Sequence, residues 1–120
     1  MNLKIKIITG YRIDQEHTLD ADEAHKAYYL FMNPDKRAIF RSGLAIKGTS
    51  IEAIEPDFHA TMGWNSSHKL TGEDWNELRA KGIPERIQSV LEEARDILPR
   101  IEKEKELLSK PLSEIILKLK

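Results

Sequence analysis

The sequence contains no cysteine among its 120 residues. Disulfides, zinc ribbons, thiolate catalysis and cysteine-held iron–sulfur centres are excluded together. Small secreted domains commonly need disulfide staples, so their absence points to a cytoplasmic protein. No apolar run approaches the length that crosses a bilayer. At the start, Leu3, Ile5 and Ile7 alternate with Lys4 and Lys6, whereas a secretory leader keeps its basic and apolar regions apart. Neither a leader nor a membrane partner is expected. Charge of one sign is lacking too: 19 Lys and Arg stand against 20 Asp and Glu, a formal net charge of −1. A general nucleic-acid binder carries a basic surplus, because neutralised phosphates supply most of its affinity. A DNA mimic would carry an acidic one, so both become minor readings.

What is present fits one domain. Hydrophobic residues make up 40% of the chain and charged residues 32%, too apolar for disorder and slightly more charged than a compact globule requires. The extra charge gathers after Glu73.

Period-two alternation predicts a first strand over 3–8, interrupted at Thr9-Gly10, with Tyr11-Arg12-Ile13 as a continuation beyond a bulge or turn. A short second strand over 16–19 can pair back on it. Asp20-Ala21-Asp22-Glu23 reads as a helix start, with Asp20 as cap and Glu23 reaching back in a capping box. Ala24, Ala27, Tyr28 and Phe31 then share one helical face, and Asn33-Pro34 ends the helix. Tyr28, Phe31 and Phe40 are assigned to the core. Ala38-Ile39-Phe40, Ser42-Gly43 and Leu44-Ala45-Ile46 read as strand, turn and strand, and a further strand over 51–54 stops at Pro56. The fold class is therefore α+β: a small, mostly antiparallel β-α-β-β unit over 1–72, then a helical C-terminal half over 73–120.

Residues 57–71 show no periodicity and read as a long loop, a feature often tied to function. Thr71 caps a second helix with Trp75 and Leu78 inward, Gly82 ends it, and Pro84 opens the next. From there Ile87, Leu91, Leu98 and Ile101, then Leu108, Leu112, Ile115 and Leu119, follow a 4-3 rhythm with Ala94 among them. Such spacing marks a coiled-coil seam or the buried stripe of packed helices. Pro99 and Pro111 break the rod into segments.

Chemistry is sparsely signalled. The four histidines are His17, His25, His59 and His68, and no two have the i, i+4 spacing of a zinc helix. Asp22 and His25 can share an ion or simply a surface hydrogen bond. Glu55 and Asp57 flank Pro56 near His59, which suits an acid–base pair but equally a solvated turn. No nucleophile elbow and no glycine-rich phosphate loop is present. Arg37 and Arg41, with Lys36 and Lys47 nearby, offer a small basic face to an anionic ligand, or else defend an edge strand. Trp64, with Met62 and Phe58 beside His59, either pins its loop to the body or meets a partner. The 84–120 stripe exceeds what the small sheet unit can cover. Self-association through Ile87, Leu91, Leu98, Ile101, Leu108, Leu112, Ile115 and Leu119 is its natural outlet, the alternative being an arm folded back on its own domain.

The order Ile8-Thr9-Gly10, Asp22-Glu23-Ala24, Ser42-Gly43 and Ile51-Glu52-Ala53-Ile54-Glu55-Pro56 resembles small uncharacterised accessory proteins of phages and prophages. The likeness spans about the first half of the chain and brings no assigned activity. It implies action by binding, often against a host enzyme or defence system, in the host cytoplasm, with sequestration of a nucleotide signal as another mode. The leading expectation is thus a non-enzymatic, homo-oligomeric protein that engages another protein and needs no cofactor. A binder of a small anionic ligand such as a nucleotide is second, and a metal-dependent or acid–base enzyme third.

Overall fold

Residues 2–10 and 12–119 are described by the computed structural model. The opening alternation becomes β1 (Lys4–Thr9), with Ile5 and Ile7 fully buried on one face. β2 (Gln15–Asp20) returns antiparallel with Leu19 beside Ile5, so the strand expected at 16–19 is present. Tyr11, assigned to a continuation of the first strand, lies outside the described residues, as do Met1 and Lys120. β5 (Ile51–Pro56) pairs antiparallel with the other edge of β1, giving the order β2-β1-β5. With 51% helix and 21% strand, the fold is α+β: a small antiparallel sheet followed by a helical half.

The hairpin does not extend that sheet. β3 (Arg37–Ile39) and β4 (Ala45–Lys47) form a separate two-stranded ribbon. Its base is tied to the end of α1 (Ala24–Met32) instead. Gly48 N–H donates to Lys36 O, and Thr49 N–H to Pro34 O. Gly48 is required for this approach, since a Cβ there would sit 2.2 Å from the Leu30 carbonyl oxygen.

The predicted start of α1 is also rearranged. Ala21–Glu23 form a 3-10 turn, and neither Asp20 nor Glu23 caps through its side chain. Other partners take both carboxylates. Lys4 and Arg41 pair with Asp20, while Glu23 receives Lys26 and the Arg41 N–H. α1 buries 24–27 and Leu30, while Phe31 and Met32 at its end are exposed. Phe31 is consequently 52% exposed rather than core, while Phe40 is buried and Tyr28 half-buried.

Within the expected loop, Asp57 caps a short helix, α2 (Phe58–Met62), which Gly63 ends in the left-handed region at φ 75°. α3 (Gly72–Ala80) carries a full capping box between Thr71 and Asp74. Gly82, at φ 65°, and Pro84 then open α4 (Ile83–Asp96). A 3-10 turn at Leu98–Arg100 and a break at Pro111 separate α4, α5 (Glu104–Ser109) and α6 (Leu112–Leu119).

The helical half folds back as part of the same core. Ile83, Ile87, Leu91 and Ala94 of α4 are buried together with Ile5, Ile7, Leu30 and Leu78, and Leu112 and Ile115 join them from α6. Two side-chain contacts fix the last helix. Asp22 accepts the Ser113 N–H at 2.9 Å, and the His25 ring bonds Lys110 O at 2.9 Å. Ile87, Leu91, Leu112 and Ile115 are therefore not a free oligomerisation seam, because the chain's own sheet and α1 cover them. Among the described residues, no helix is long and apolar enough to cross a membrane.

Candidate functional site

The residues singled out around Trp64 are brought together, and most of their polar atoms are engaged. Asp57 accepts from Ala60 N–H at 3.0 Å and from the Thr18 hydroxyl at 2.8 Å. His59 Nε2 donates to His68 O at 2.7 Å, and His68 Nε2 donates to the Asp74 carboxylate at 2.8 Å. Both acceptors lack a proton, which places the hydrogen on Nε2 in each ring. The Trp64 ring lies 5.3 Å from His68 and 6.2 Å from His59, and Phe58 meets Trp75 edge-on at 5.7 Å. Met62 and Trp64 are half-buried against the core. This cluster staples α2 to the start of α3, and it favours the pinning role weighed for Trp64.

The His68–Asp74 pair has the form of a base with its orienting acid. The Thr71 N–H first, and His68 second, hold the Asp74 carboxyl below the usual carboxylate range. The adjacent Ser67 hydroxyl, however, donates to Asn65 rather than to His68. Nor do Glu55, Asp57 and His59 converge: Glu55 turns to Lys6 at 3.9 Å, Asp57 to α2 and Thr18, and His59 to a carbonyl. Among the described residues, no three His, Cys, Asp or Glu side chains are grouped to hold a metal ion. Asp22 and His25 do not share a site, because one caps α6 and the other faces Lys110 O.

Arg37 and Arg41 are separated as well. Arg37 stands exposed on β3 across from Lys47, whereas Arg41 lies in the turn beyond the strand. Its guanidinium meets Asp20 at 3.2 Å and Asp22 at 3.8 Å. The expected basic face is thus split, and half of it is neutralised. Those two carboxylates bring Arg41 onto a groove of about 460 Å³ between the start of β1, α4 and α6, which also holds Arg86, Val90 and Glu93.

A second groove, about 410 Å³, opens where α1 ends. Tyr29 and Met32 form one wall, and Leu98, Pro99, Ile101 and Leu107 form the other. Met32 is 62% exposed. Glu102 and Glu104 fringe the opening, with Lys36 answering only Glu104, at 3.5 Å. Burial first, then the Glu104 carboxylate, push the Tyr29 phenol above its ordinary value. Leu98 and Ile101 belong to the stripe picked out for self-association, so that part of it does face an opening, while Leu108 and Leu119 are half-buried against the core. Tyr29 and Met32 are missed by sequence reasoning. Their one signal is an unbroken apolar run, 27–32, that exceeds a single helical face. No family model, no curated protein and no solved structure matches this chain.

Proposed function

We propose that this chain is a non-enzymatic binding protein that engages another protein through the groove between the end of α1 and residues 98–107. The observation that carries this reading is the groove itself: apolar walls, an exposed Met32, and an acidic fringe countered by a single lysine. Methionine and tyrosine at an open cleft are side chains that protein interfaces favour. An apolar floor with an acidic edge complements a segment bearing one or two large apolar side chains flanked by Lys or Arg. The resemblance to phage accessory proteins directs the search for that partner to proteins of the host cell. The anionic-ligand reading is weaker, because Arg41 already shares its charge with two carboxylates.

The test compares wild type with Met32→Asp by native mass spectrometry after gentle purification from the host. A protein that co-purifies with wild type, is lost from Met32→Asp, and binds the purified chain only when Met32 is present supports the proposal. The same complex on both proteins, or a bound small molecule in place of a protein, overturns it.

A further inference from the structure

The 460 Å³ groove carries charges that no other described residue answers. Arg86, Val90 and Glu93 lie along one side of α4 at i, i+4 and i+7, and all three line it. Neither Arg86 nor Glu93 has an ion-pair partner among the described residues. Seven residues of helix separate them by about 10 Å. Between them, on the same stripe, stand half-buried Val90 and the small, exposed Ser89. Leu3, Val90, Leu112 and Ile116 supply its apolar floor, and Asp20, Asp22 and Arg41 line it beside them.

We infer that this face binds a second copy of the chain across a two-fold axis that passes α4 between Ser89 and Val90. An isologous contact sets each position opposite its mirror number about the axis. With the helices antiparallel, Arg86 falls opposite the partner's Glu93, and Glu93 opposite the partner's Arg86. The stripe is self-complementary in charge and small at its crossing point.

α6 adds a matching knob. Leu117 is 73% exposed and lies four residues on from Ser113, which lines the groove, so it stands on the same helical face at the rim. Docked symmetrically, Leu117 of each copy meets the apolar floor of the other. The inference uses no residue of the Tyr29–Met32 groove, so it stands or falls separately from the partner reading.

Sedimentation velocity over a dilution series tests it, using the full chain. Wild type is expected to dimerise in a concentration-dependent manner. Arg86→Glu places carboxylates opposite one another at two places and should weaken the dimer by on the order of tenfold. Glu93→Arg should do the same. The double variant Arg86→Glu/Glu93→Arg restores opposite charges and should recover wild-type association. Both positions are exposed, and unchanged circular dichroism will confirm the fold. A wild-type monomer at every concentration overturns the inference. So do single variants that keep the wild-type dimer, or a double variant no better than the singles.

Discussion

Replacing Lys26 by Met tests whether the buried charge pair under the hairpin holds the fold together. Glu23 is 2% exposed and Lys26 7%, and their charged atoms lie 3.2 Å apart. The same carboxylate oxygen accepts the Arg41 N–H at 2.8 Å, and the ammonium sits 6.0 Å from the Phe40 ring centre. Methionine keeps most of the aliphatic stem, so packing changes little. The carboxylate, however, loses its ion-pair partner while remaining out of water. Breaking one partner of a buried pair costs about 3–5 kcal/mol, and the lost contact with Phe40 adds roughly 0.5–1 kcal/mol. The Arg41 N–H remains in the variant and does not enter the difference. At roughly 4 °C per kcal/mol for a chain of this size, the midpoint should fall by about 14–24 °C. Glu23→Gln/Lys26→Met removes both charges and should lie within about 1 kcal/mol of wild type. Thermal and urea unfolding of the four proteins close the cycle, with an expected coupling of at least about 2 kcal/mol. A Lys26→Met protein within about 1 kcal/mol of wild type, or an additive cycle, would refute the reasoning.

Two further perturbations read the same interior. His25 is fully buried, with Nε2 on Lys110 O and Nδ1 without a hydrogen-bond partner among the described residues. Desolvation, the largest influence, and the Lys26 charge hold it below the ordinary 6.5, against the Lys110 and Leu107 carbonyls and the Asp22 carboxylate, which pull the other way. The folded state binds the proton less readily than the unfolded one, so His25 contributes fully above about pH 6.5 and progressively less as pH falls below it. Urea unfolding should therefore weaken below that pH with a slope approaching about 1.4 kcal/mol per unit, and His25→Gln should flatten it. An unchanged slope would count against this account. Gly48→Ala drives a Cβ to 2.2 Å from Leu30 O and 2.8 Å from Asn33 O. Because both obstacles are backbone, the cost should reach about 3 kcal/mol in a melting experiment, and a neutral result would mean that the ribbon can lift away from α1.

What was legible in the sequence was local. The Thr71 cap, the left-handed Gly82, Pro84 at a first turn and the breaks at Pro99 and Pro111 depend only on neighbours along the chain, and each is where its residue type requires. Asp20 and Glu23 have the right chemistry for a capping box, yet cations from 4, 26 and 41 outcompete the helix end for their carboxylates. Phe31 falls on the predicted helical face, but the side of α1 that meets the interior carries Ala24, Ala27 and Leu30, and Phe31 is left outside it. The 4-3 stripe shows the same limit. Its rhythm is common to a coiled coil and to a helix lying on a sheet, and only the long-range arrangement of Ile5, Ile7 and α1 decides between them. The candidate grooves join residues more than sixty positions apart, such as Met32 with Leu98, which no spacing rule reaches.

The side chains that most resembled chemistry are the ones most committed to the fold. His25, His59 and His68 face a carbonyl, a carbonyl and a carboxylate, while Asp22, Asp57 and Asp74 accept backbone N–H groups. Turning any of them toward a substrate would break a contact that holds two elements together. Unused free energy lies instead in exposed apolar side chains. Leu117, at 73% exposure, retains most of the roughly 1.5–3 kcal/mol that full burial of a leucine yields. Two such side chains contribute at most about 6 kcal/mol, whereas association costs about 4–15 kcal/mol before any gain appears. The knob alone therefore does not make a dimer. The floor of Leu3, Val90 and Ile116 must be covered in the same event, with the Arg86 and Glu93 pairs fixing the register. On that balance the proposed dimer is expected to be weak and to respond to concentration and salt, since its orienting contacts are exposed charges that counterions screen.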